Sequence, residues 1–252
     1  LQQEITDSPP AGTVPESSWE RIRFGRTALL LGIPVVVLSL ASGLLFLALE
    51  KSTAETFDDI HFWFYFFDVG REINVPTWFS SGLWIVAGVM AGFFSRRATA
   101  HRRSWLLFAV VCVIFSIDEM LELHERLDVI GYELAAFLPF DLGFVWVIPG
   151  GLIALVIVLA LTRLVFSLPK GVRNGLILAG VVFVVGGMGV ETLAGLTVAA
   201  NGLTPQFFVL TLIEETCEMA GIVLCVAALA HLVEYKKHDG GTAYRLASRA
   251  SN

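Results

Sequence analysis

The chain has 252 residues, is 56% hydrophobic and only 16% charged, and has a mean hydropathy of +0.73. A soluble fold carries about a quarter of its residues charged; the shortfall excludes a soluble enzyme, and with a net charge of −6 it excludes a nucleic-acid binder. What remains is an all-α integral membrane protein, long enough for six transmembrane helices of about 20 residues each.

Residues 1–20 are polar and read as a flexible cytoplasmic arm. The chain opens on Leu1 with no initiator methionine, which fits a trimmed start. A transmembrane domain is expected over residues 21–235 and a mobile cytoplasmic tail over 236–252. The first span is the uncharged run Thr27–Leu49, longer than a signal-peptide core. Phe57–Phe67 is an aromatic run suited to the headgroup level, or to lining access for a lipid-like substrate. The second span is predicted over Val75–Phe94 and the third from Trp105 toward Asp118. The fourth covers Leu142–Leu161, with a kink expected at Pro149-Gly150-Gly151. The fifth runs from Gly175 to Ala200, interrupted by Glu191, and the sixth from Gln206 to Val233, interrupted by Glu214, Glu215 and Glu218. Cys112, Cys217 and Cys225 all lie in apolar runs and imply no disulfide framework.

Of the 17 lysines and arginines, 14 fall on one side of this layout. The positive-inside rule places that side, with both termini, in the cytoplasm. A cell inner membrane is the expected location. The acids are biased the other way, with 17 of 23 in the opposite half.

Asp118, Glu122, Glu191, Glu214 and Glu218 fall at a common depth, roughly 20–28 Å from the basic ends of their spans at about 1.5 Å per residue. An ionised group at a span centre costs about 2.5–3.5 kcal/mol, so these carboxylates are expected to face the bundle interior. On a continuous helix Asp118, Glu122 and Glu125 share one face, as do Glu214, Glu215 and Glu218. Close carboxylates resist joint ionisation, and a divalent metal would hold them together. The expected ligands are Glu191, Glu215 and Glu218, then Asp118, Glu122 and Glu125, with His124 as a nitrogen donor. Glu119 or Glu214 would move protons. The pairs Glu122-x-x-Glu125 and Glu215-x-x-Glu218, with Glu191 and Glu72 as single carboxylates, resemble in part the ligand plan of ferritin-like di-metal bundles, which have Glu-x-x-His where this chain has Glu-x-x-Glu. Oxygen-rich ligation favours Mn, Mg or Ca over Zn, with Fe open for a redox centre.

The leading functional expectation is a metal-dependent membrane enzyme acting on a lipid-like substrate. A proton or cation pathway is the first alternative, and it needs a polar route to the cytoplasm that the apolar inner halves do not supply. An accessory subunit among partner membrane subunits is the second, with the acids as interhelix hydrogen bonds. Membrane lipid is the one partner common to all three.

Overall fold

The computed structural model describes residues 19–238 and 241–248. Most of the expected arm and the end of the expected tail lie outside these residues. The described chain is built from helices α1 (Phe24–Glu50), α2 (Phe57–Phe67), α3 (Val75–Arg97), α4 (Arg102–Leu121), α5 (Asp128–Ala135), α6 (Val147–Ser167), α7 (Lys170–Val184), α8 (Glu191–Asn201) and α9 (Pro205–His231). A π-helical turn, Val185–Val190, joins α7 to α8, so that Lys170–Asn201 forms one helical run. That run and α1, α3, α4 and α6 are five helices long and apolar enough to cross a membrane. Helix α9 has comparable length but carries three glutamates within it.

Two helix starts follow directly from local chemistry. The Asn74 side chain accepts from the Thr77 backbone N–H at 3.2 Å, with Pro76 in the first turn of α3. Thr204 does the same for Phe207 at 3.4 Å, ahead of Pro205 in α9. Both are standard N-cap arrangements. Pro149, expected to kink a span, instead lies in the first turn of α6, where a missing N–H costs nothing.

Helix α9 is the axis of the bundle, flanked by α1, α3, α7, the π-turn and α8. Small residues let these helices approach. A Cβ on Gly175 would meet the Ala228 methyl at 3.0 Å, and one on Gly221 would meet the Phe183 backbone N at 2.9 Å. Hydroxyls pin the pairs where hydrocarbon offers no driving force for association. Ser39 and Thr216 join α1 to α9 at 2.7 Å, and the Ser81 and Ser116 hydroxyls join α3 to α4 at 2.9 Å. By contrast, α6 buries Val147, Pro149, Leu161 and Leu164 near its ends and no residue between 150 and 160.

At the end of the bundle nearest the chain termini, the structure departs from the expected mobile tail. Val233–His238 (β2) and Gly241–Leu246 (β3) form an antiparallel hairpin, and Glu20–Arg21 (β1) pairs with the free side of β2. Glu234, only 4% exposed, accepts from Arg21 Nε at 2.8 Å and from Arg245 Nε at 2.7 Å. Burial alone would raise its pKa, yet the two guanidinium groups hold it below the usual carboxylate value. The His231 ring contacts the Ile22 carbonyl at 2.7 Å, and Arg245 lies over the Trp19 ring at 4.2 Å. Replacing Glu234 with Ala removes two charged hydrogen bonds, each worth about 1.5–3 kcal/mol. The expected outcome is at least tenfold faster hydrogen exchange of the Tyr235 and Arg245 amides with unchanged exchange in α9; equal protection in wild type and variant contradicts the clamp.

Candidate carboxylate site

The acids of α4, α8 and α9 meet at the opposite end of the bundle from the sheet. Helix α4 ends at Leu121 because Glu122 takes a left-handed conformation, φ +49°. The chain therefore reverses, and a three-residue 3₁₀ turn, Glu125–Leu127, follows. This corrects the shared face expected for Asp118, Glu122 and Glu125. Glu122 is the capping residue of the turn, Glu125 is exposed, and neither stands above Asp118 on a continuous helix.

The reversal brings His124 back to Asp118. The His124 backbone N–H donates to Asp118 Oδ1 at 2.8 Å, and the ring Nδ1 meets Asp118 Oδ2 at 2.9 Å. The ring also packs on the Trp146 indole, centroid to centroid 4.4 Å. Burial opposes charge on His124, but the Asp118 bond and the negative charges of Asp118, Glu191 and Glu218 outweigh it and push its pKa up to about 9.

Glu191 opens α8 directly after the π-turn and is 8% exposed. Trp146 Nε1 donates to its Oε1 at 2.7 Å, and Glu214, which is equally buried, lies beside it from α9. Neighbouring carboxyl groups resist joint ionisation. Trp146 is fixed in turn by close backbone packing. Its own N–H donates to Asp128 Oδ1 at 2.8 Å. Gly143, at φ +74°, lies against the Gly195 carbonyl and leaves no space for a Cβ, and Gly131 lies equally close to the Val145 carbonyl.

Glu218 projects over the π-turn, where its Oε1 occupies the space a Cβ on Gly187 would need. Gly186 is as tightly held, since its Cβ would meet the Cys217 Cβ at 2.8 Å. Glu218 interacts electrostatically with Glu119, Glu191, His124 and Asp118, and Glu215 with Glu218, Glu119, Glu214 and Glu72. Glu119 accepts from Trp84 Nε1 at 3.3 Å. The carboxylates thus face one another and two indole donors. The structure brings together Asp118, Glu119, His124, Glu191, Glu214, Glu215 and Glu218. Among the described residues, however, no group of three or more His, Cys, Asp and Glu side chains is arranged to hold a metal ion.

Glu72, in the turn before α3, completes the array. Its Oε2 is the one buried side-chain polar atom without a partner among the described residues. Burial first, and then Glu119 and Glu122, push its pKa up to about 8. The indole donors Trp84 and Trp146 were not read from the sequence, where a tryptophan in an apolar run carries no sign of its partner.

Beneath the array, toward the sheet, the interior is apolar. Trp84, Phe115 and Phe183 form an aromatic triangle with centroids 4.9–5.7 Å apart. Below it Phe94, Trp105, Leu164, Val172, Met219, Ile222, Leu229 and Leu232 are 2% exposed or less.

The fold is that of an apolar helical bundle of the multi-pass membrane class, with Glu191 and Glu214 buried inside it. The chain belongs to the family described as Domain of unknown function (DUF8692), whose model matches residues 28–232. Neither a curated protein nor a solved structure matches it.

Two outcomes follow from this geometry. Gly186→Ala places a methyl 2.8 Å from the Cys217 Cβ and 2.9 Å from the Glu214 carbonyl oxygen and is expected to cost about 1–3 kcal/mol as overpacking. Gly189→Ala, with nothing within 4 Å of the new methyl, is expected to be neutral or slightly stabilising. Thermal unfolding in detergent checks the pair, and equal melting temperatures contradict the contact. Separately, an acid whose pKa rises on folding lends stability that is complete below its ordinary value and lost as pH climbs through the folded one. For Glu72 that window runs from 4.5 to about 8. Wild type should lose melting temperature across it, and Glu72→Gln should lose measurably less; parallel curves contradict the assignment.

Proposed function

We propose that the chain is a six-span inner-membrane protein with both termini in the cytoplasm, and that its carboxylate array is the divalent-metal site of an enzyme acting on a lipid-like substrate. Glu191, Glu215 and Glu218 are the proposed ligands. The observation that carries this reading is the convergence of carboxyl groups from α4, α8 and α9, with Glu72, on one interior region. The unpartnered Glu72 oxygen supports it, since a buried carboxylate oxygen without a donor is costly. Loading a metal would require the neighbouring Glu191 and Glu214 carboxyl groups to ionise together, which a bound cation would favour. A cation so held would polarise a substrate oxygen.

The surroundings suit an apolar substrate. Phe57, Phe62, Trp63, Tyr65 and Phe66 on α2, and Val129, Ile130 and Tyr132 on α5, are exposed. Asp118 and His124, with side chains 21% and 33% exposed, give the array its contact with solvent.

A second reading, proton binding and release by the array, is favoured by the burial of Glu191 and Glu214 beside one another. The apolar packing beneath the array counts against a route through the protein.

Elemental analysis of the purified protein separates the two. Stoichiometric divalent metal in wild type, lost in both Glu215→Gln and Glu218→Gln, is the expected result. Metal-free wild type overturns the enzyme reading; proton flux in liposomes that disappears in Glu214→Gln then establishes the second.

A further inference from the structure

A proton-moving group needs a free atom at the accessible side of the site. Glu119 receives the Trp84 indole at Oε1, and Glu214 is buried beside Glu191. His124 is differently placed. Asp118 uses both carboxylate oxygens on it, one for the backbone N–H and one for Nδ1. The Trp146 ring lies against the imidazole at 4.4 Å, tilted 53° to it. The ring is therefore fixed in rotation as well as position, while a third of the side chain remains exposed. An imidazole held at one nitrogen by a carboxylate presents the other nitrogen for chemistry.

We infer that His124 is the acid–base residue of the site, acting through Nε2, and that Asp118 is its positioning residue and not a ligand. This rests on the reading that the carboxylate array is the working site. The step is a proton transfer alone. The Nε2–H bond of the imidazolium breaks as an O–H bond forms on a substrate oxygen, giving the neutral imidazole; the O–H bond of a water or product hydroxyl then breaks as the N–H bond forms again at Nε2. No electrons leave or enter. The groups facing His124 are Asp118 and Glu119 from α4, Glu125 from the 3₁₀ turn, Trp146 from the loop before α6, Glu191 from α8, Glu218 from α9 and Glu72 from the turn before α3.

The test is made on the histidine itself, so that it stands or falls separately from the metal analysis. Proton NMR of the full-length protein in detergent is expected to show a downfield imidazole N–H resonance that is lost in both Asp118→Asn and His124→Gln. The pH dependence of carbethoxylation of His124 by diethyl pyrocarbonate, read by mass spectrometry of its peptide, is expected to shift about one unit or more to lower pH in Asp118→Asn, and to stay near wild type in Asp118→Glu. An Asp118 that does not hold the Nδ1 side of the ring would leave that profile unmoved. A resonance that survives Asp118→Asn, or a profile that does not shift, overturns the assignment. Metal-free wild type with both expected results leaves the pair intact and removes only the enzyme reading.

Discussion

A carboxylate in hydrocarbon must find a partner or give up its charge, and most of this structure follows from that constraint. Glu214, Glu215 and Glu218 sit within a helix that is otherwise apolar, so α9 can occupy only the centre of the bundle. Glu191 on α8 and Glu119 on α4 then need positions that face it. The two indole N–H groups supply donors that cost little, because a tryptophan is mostly apolar surface with one polar atom. Each acid turned inward removes one reason for lipid to be disrupted and adds one reason for the helices to associate.

Glycine makes the inward placement sterically possible. Gly187 in the π-turn gives the Glu218 side chain its space, and Gly186 lets the turn close onto the α9 backbone at Glu214 and Cys217. Single π-turns inside α-helices recur at functional sites, and here the turn directly precedes Glu191. The same economy of volume holds at Gly143 against Gly195, which brings the loop carrying Trp146 onto α8. Rigidity is thus concentrated around Glu191 and Trp146, while α6 is held mainly near its ends. At the other end of the molecule, Glu234 organises two arginines into a small sheet that ties the start of the described chain to its end.

Much of this was legible in the sequence. Uninterrupted apolar runs located the helices to within a few residues, because desolvation of the backbone leaves little choice but helix. The expectation that acids from three separate runs turn inward came from depth, helical face and the cost of buried charge; Glu191 and Glu214 are buried, and the other acids of those runs are half-buried or exposed. The local turn at Glu122 was not: helical periodicity applied to Asp118–Glu125 assumes that the helix continues, and a left-handed glutamate is uncommon. Its consequence, the return of His124 to Asp118, was therefore hidden. The hairpin had a signal in Asp239-Gly240-Gly241 between two short runs rich in β-formers, but polar composition masked it. The partners of Trp84 and Trp146 are separated from them by 35 and 45 residues, and no periodicity reaches that far.

The central claim is that the intramembrane acids are turned toward each other and share protons. Infrared spectroscopy of the detergent-solubilised protein in heavy water reads this directly, because a protonated carboxyl group absorbs apart from a carboxylate. At neutral pH a carboxylic C=O band is expected in wild type, weakened in Glu214→Gln and in Glu191→Gln. A wild-type spectrum with carboxylate bands alone would show that these groups are separately solvated and would contradict the account.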